Sequence, residues 1–108
     1  MEYSLKQLTD DEPQIEFFKS PEECLGTYKY EVNQAFEPGY ALAEELKQGH
    51  TMDIHTGRIV LFYNPSHKPY YDQQVIKIPK GYCAKHIGIY KYGYKRAKTA
   101  PIVQIMRK

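Results

Sequence analysis

The chain has 108 residues, a length that suits one domain over 1–108, and its 42% hydrophobic content allows a modest core. A net charge of +2, from 15 basic and 13 acidic side chains, excludes a polyanion binder that works by bulk charge. No apolar run is long enough to span a membrane, and the polar, acidic start MEYSLKQLTDDEPQ carries no secretory pattern, so a cytoplasmic protein without membrane contact is expected.

Residues 1–14 read as a short lead-in that ends at Asp10-Asp11-Glu12-Pro13, because proline forces the residue before it into extended geometry. Gln14 to Lys19 reads as an edge strand carrying Ile15, Phe17 and Phe18, followed by a turn at Ser20-Pro21-Glu22-Glu23. Leu25 to Val32 alternates, with Tyr28, Tyr30 and Val32 on one side and Thr27, Lys29 and Glu31 on the other. Phe36 to Gln48 is predicted to be the principal helix. Pro38 would sit in its first turn, Phe36, Tyr40, Leu42, Ala43 and Leu46 would form its apolar stripe, and Gly49 would stop it. Thr51 to Asn64 holds a strand centred on RIVLFY, apolar on both parities and therefore expected at the centre of a sheet. The segment from Asn64 to Pro69 is a proline-containing loop.

Asp72 to Tyr92 carries the strongest period-two pattern. Val75 to Ile78 is broken by Pro79-Lys80-Gly81, and a second extended run follows, so a central hairpin or bulged corner is predicted. In the second run Tyr82, Ala84, His86, Tyr90 and Tyr92 share one parity, while Cys83, Lys85, Ile87, Ile89 and Lys91 share the other. Gly93 to Ala100 reads as a basic loop and Pro101 to Met106 as a last short strand. The expected fold class is α+β: a mostly antiparallel sheet of four to six strands with one principal helix.

Chemistry is sparse. His50 and His55 lie five apart, and Cys83 and His86 three apart. Three residues apart on a strand point to opposite faces, so no metal site is expected. No nucleophile motif, phosphate loop or dinucleotide fingerprint is present, and no cofactor or enzymatic activity is expected. Cys24 and Cys83 are read as reduced, buried thiols, although a bridge between them remains open. From Lys77 onward every charged side chain is Lys or Arg. Lys91, Lys95, Arg96 and Lys98, interleaved with tyrosines, have the composition of a single-strand nucleic-acid binder, and equally that of a strand edge protected by lysines. The 11 tyrosines are the largest departure in composition. Tyr28, Tyr30, Tyr63, Tyr82, Tyr90 and Tyr92 all fall on predicted strands, where they could line a face that sandwiches a flat ligand. Glu31, or Glu44 and Glu45, could supply a carboxylate for a cationic ligand. A tyrosine-rich sheet surface with solvent-facing acids has the same composition.

Three stretches resemble the gyrase-inhibitor-like effector-binding domains, the drug-sensing domains of multidrug-responsive transcriptional regulators. They are PQIEFFKSPEECLGTYKYEV, an opening strand; GRIVLFYNPSHKP, a glycine-led strand ending in an Asn-Pro loop; and VIKIPKGYCAKHIG, a strand, an Ile-Pro-x-Gly step and a Tyr/Ala strand. The resemblance implies two strand–helix–strand–strand units around an aromatic cleft that takes aromatic, often cationic, compounds. The second unit's helix has no counterpart, and Pro101-Ile102-Val103-Gln104 stands where its glutamate would be. The expected function is therefore non-enzymatic binding of a small aromatic molecule by a stand-alone sensor or sequestering protein. The uncovered sheet face points to a homodimer. A small adaptor for nucleic acid or protein, working through the basic C-terminal half, is the alternative.

Overall fold

The structure is a computed structural model and describes residues 13–26, 29–36 and 38–108. Most of the predicted lead-in, together with Tyr28, lies outside these residues. The strands are β1 (Gln14–Phe17), β2 (Cys24–Leu25), β3 (Lys29–Ala35), β4 (Tyr40–Lys47), β5 (Ile54–Tyr63), β6 (Val75–Lys77), β7 (Tyr82–Tyr92) and β8 (Lys98–Arg107), with a 3-10 turn at Tyr94–Arg96. All belong to one eight-stranded sheet in the order β1-β7-β8-β5-β4-β3-β6, and β2 follows β1 along the same edge of β7. Among the described residues only β5 and β8 pair in parallel. Among the described residues there is no α-helix, and no helix long and apolar enough to cross a membrane.

The α+β expectation is therefore corrected: the fold is nearly all sheet. Its predicted helix is β4, joined to β3 by a turn at Pro38-Gly39. Gly39 has φ 97°, where an L side chain is strained, and its carbonyl accepts the Asn64 N–H at 2.8 Å. The sequence YALAEELK is rich in helix formers, but it also alternates. Ala41, Ala43 and Glu45 turn to one face and Tyr40, Leu42 and Glu44 to the other. Pairing with β3 and β5 on both edges satisfies its backbone, and this context overrides propensity.

The central hairpin is corrected too. β6 pairs with β3, whereas β7 pairs with β8, β1 and β2, so Pro79-Lys80-Gly81 carries the chain from one side of the sheet to the other. β7 also contains a bulge between His86 and Gly88. The extra residue reverses the side-chain parity. Ala84 faces one core and Tyr90 the other, although both are even-numbered. The predicted common face of Tyr82, Ala84, His86, Tyr90 and Tyr92 is divided at this point.

The sheet curls on itself. Its inner face packs Tyr30 and Val32, Ala41 and Ala43, Val60 and Phe62, Ile76, Ile78, Ala84 and Val103 into one core. Tyr30 on β3 is fully buried, lies edge-on to Phe62 at 5.0 Å between centroids, and donates its hydroxyl to the Leu25 carbonyl at 3.2 Å. That contact ties β2 to β3 across the curl. Burial pushes the Tyr30 hydroxyl up to about 12, helped by the Glu45 carboxylate and opposed by Arg58. In the unfolded chain the same group ionises near 10. Between these values the unfolded state holds fewer protons, so stability is full below pH 10 and falls as pH rises toward 12, by up to about 3 kcal/mol. Urea titrations at pH 8, 10 and 11 should show this loss in the wild type and a shallower one in Tyr30→Phe. Parallel losses in both proteins would show that Tyr30 does not carry the effect.

Candidate functional site

The outer face carries the tyrosines Tyr40, Tyr63, Tyr90 and Tyr92. Leu61, Ile87, Tyr90 and Ile102 form its buried layer, flanked by Tyr40, Leu42, Tyr63, Tyr92 and Met106. Strand register explains the grouping. Tyr40 stands opposite Tyr63 on β4 and β5, and Ile15 stands opposite Tyr90 on β1 and β7. Phe36 follows the end of β3, and its N–H bonds the Tyr40 carbonyl at 3.1 Å, which sets the ring beside the turn.

The rings touch in two groups. Tyr40 lies 5.2 Å from Tyr63, and Phe17 lies 5.3 Å from Tyr63. Tyr90 stacks on Tyr92 at 4.9 Å with planes 15° apart, and Phe36 tilts toward Tyr90 at 6.3 Å. A groove of about 270 Å³ lies among Pro13, Ile15, Phe36, Tyr40, Leu61 and Tyr90. Two large apolar side chains of this groove stay open to solvent, Ile15 at 42% and Phe36 at 37%. Burial raises the Tyr90 hydroxyl above its ordinary range, and neighbouring Tyr92 adds to the rise. None of the described residues lining the groove is a carboxylate.

The predicted ligand set is thus split. Tyr63, Tyr90 and Tyr92 share the outer face. Tyr30 is in the inner core, where no ligand reaches it. Tyr82 sits at the far end of β7 with the Arg107 guanidinium over its ring at 5.6 Å, and Tyr28 lies outside the described residues. Glu31 lies opposite Glu44, and both carboxylates address His55, at 3.2 Å from Nε2 and 3.1 Å from Nδ1. Glu44 continues the row of Tyr40 and Leu42, but at four residues along the strand it is roughly 13 Å from Tyr40. Glu45 is 7% exposed on the inner face, where it accepts the Thr56 hydroxyl at 2.9 Å and meets Arg58 Nε at 3.5 Å.

The four basic residues, by contrast, are gathered at one end of the β7–β8 hairpin, where Tyr92 stands opposite Lys98 and Lys91 opposite Thr99. Lys91 and Lys98 are on β7 and β8, and Lys95 and Arg96 are in the turn between them. Lys95 holds its ammonium 5.6 Å from the Tyr94 ring. Phe17, Phe36 and Tyr40 were missing from the predicted ligand set. Tyr40 and Phe36 were assigned to a helix stripe, and only the Pro-Gly step between them hinted at a hairpin. Among the described residues no group of three or more His, Cys, Asp or Glu could hold a metal ion. Cys24 and Cys83 form a disulfide, with Cα atoms 5.7 Å apart, which corrects the expectation of reduced thiols.

No family model, curated protein or solved structure matches the chain. The helices that the resemblance implies are not formed by the described residues. A ligand-binding reading must therefore stand on the outer face itself.

Proposed function

We propose that this protein is a non-enzymatic binder of small, flat, neutral aromatic molecules, held in the groove between Phe36, Tyr40 and Tyr90. The observation that carries this reading is the groove itself: apolar, ring-lined and floored by Leu61, which is 1% exposed. Ring faces and edges supply stacking partners, and apolar burial supplies most of the affinity. Among the described residues no carboxylate lines the groove, which favours neutral ligands over the cations expected from the sequence, because a cation would lose hydration there without a counter-charge. Sensing or sequestration are the roles open to such a site. The disulfide argues for an oxidising setting over the expected cytoplasmic one, since cytosolic thiols are kept reduced. Thiol trapping by acid quench before lysis decides between these settings.

The test is a titration with 2-naphthol, and with an aromatic cation for comparison, followed by tyrosine fluorescence at low and high salt. Saturable, salt-tolerant binding of 2-naphthol is expected. Phe36→Ala, at a position 37% exposed, should weaken it by about tenfold. No saturation, or an unchanged affinity in Phe36→Ala, would reject the groove. A response to oligonucleotides alone, lost steeply with salt, would favour the adaptor reading instead. A homodimer built on the same face would compete with the ligand, and sedimentation across protein concentrations would reveal it.

A further inference from the structure

The parallel ladder between β5 and β8 has only two residue pairs, Leu61 with Ile102 and Phe62 with Val103. The next position on β8 is Pro101, which has no N–H to donate, so the ladder stops there. Beyond it the strands separate, and a cleft of about 450 Å³ opens at the end of the inner face. That volume falls within the range of small-molecule sites.

Its walls join apolar and cationic groups. Leu25, Ile89 and Pro101 supply the apolar surface, and Arg58 and Lys91 supply positive charge. Arg58 meets Glu45 through Nε at 3.5 Å and is 48% exposed along its side chain, which leaves its guanidinium open to a further partner, and the Lys91 ammonium has no ion-pair partner among the described residues. His86, also in the wall, has a buried Nε2 with no hydrogen-bond partner, while its Nδ1 lies 3.7 Å from the Glu22 carboxylate. Buried polar atoms are nearly always bonded, and with its proton on Nε2 this ring nitrogen is a donor whose missing partner is an acceptor such as an anion's oxygen. Glu23 also lines the cleft, and its charge disfavours a polyanion such as a nucleic-acid strand.

We propose that this cleft binds a small organic anion, with a single carboxylate or phosphate head on Arg58, Lys91 and His86 and an apolar body against Ile89 and Pro101. The site is separate from the aromatic groove, which lies on the opposite face of the sheet.

An NMR titration of the whole chain with benzoate, phenyl phosphate, inorganic phosphate and benzylamine tests it. Benzoate or phenyl phosphate should shift the Lys91 and Thr99 amides and the His86 imidazole and leave Phe36 in place. The tighter of the two identifies the head group. Lys91→Gln and Arg58→Gln should each raise Kd by about tenfold, the usual effect of losing one charge-assisted hydrogen bond. Lys91→Gln touches no ion pair within the fold, so it remains informative if Arg58→Gln disturbs Glu45. Equal shifts with benzylamine, no shifts with either aromatic anion, or unchanged affinity in Lys91→Gln would overturn the proposal. Inorganic phosphate binding as tightly as phenyl phosphate would also overturn it, by removing the apolar contact.

Discussion

Gly26→Ala should destabilise the fold by about 3 kcal/mol, a fall of roughly 15 °C in Tm for a domain of this size. Two costs add. Gly26 has φ 71°, where a Cβ is strained. A Cβ built there would also collide with the Tyr30 hydroxyl and come within 2.7 Å of Glu45 Oε2. Neither neighbour can move freely. Tyr30 is fully buried against Phe62, and Glu45 is held by Thr56 and Arg58. Removing the hydroxyl separates the two costs. Tyr30→Phe alone should lose about 1 kcal/mol with its hydrogen bond. In that background Gly26→Ala should cost about 1–2 kcal/mol less than it does in the wild type, because the hydroxyl collision is gone while the backbone strain remains. Urea unfolding of the four proteins measures the coupling. Strict additivity would mean that Gly26 and Tyr30 do not press on each other.

The strand that runs through RIVLFY was legible because it is apolar on both parities, and β5 does have a core on each face: Val60 and Phe62 inside, Leu61 outside. The segment YALAEELK misleads for a physical reason. Its Ala, Leu and Glu residues favour a helix in isolation, and its apolar residues fit a helical stripe as well as two strand faces. What selects the strand is non-local. Ala41 and Ala43 are small enough to let the curled sheet close over Tyr30 and Phe62, and all four are completely buried. Nothing within eight residues encodes that requirement. The bulge at His86 and Gly88 is equally hidden, since a regular alternation and a bulged one look alike until a partner strand fixes the register. Because of that bulge, Tyr90 and Tyr92 join Tyr63 on the outer face rather than Ala84 on the inner one. Reading an aromatic face from tyrosine content thus found part of the groove, while Phe36 and Tyr40 stayed hidden inside the helix assignment. The cleft between β5 and β8 joins Arg58 to Lys91 and His86, residues that no local pattern connects.

Reduction of Cys24–Cys83 should remove about 4 kcal/mol of stability. The bridge spans 59 residues, and freeing a loop of that length restores entropy to the unfolded chain worth about 4 kcal/mol. The folded state depends on the bridge as well. β2 has only two residues, and it holds the carbonyl that Tyr30 bonds and the backbone that covers it. Backbone pairing with β7 joins Cys24 with Lys85 and Leu25 with Ala84, and just before β2 the Glu22 N–H bonds the His86 carbonyl and the His86 N–H bonds the Glu23 carbonyl. The disulfide is the covalent link between this short segment and the long strand beside it. Released, β2 should open first and leave Tyr30 at the margin of the core, so the reduced protein should be cut near Gly26 by proteases that spare the oxidised one. Urea unfolding with and without reductant checks the magnitude. The slope against denaturant should rise on reduction, because the uncrosslinked unfolded chain exposes more surface. Cys24→Ser/Cys83→Ala, measured without reductant, should match the reduced wild type to within about 1 kcal/mol, the scale of a small core change at Cys83. Superimposed curves for oxidised and reduced protein would show that strand pairing alone holds β2 in place, and the disulfide would then have no part in keeping Tyr30 covered.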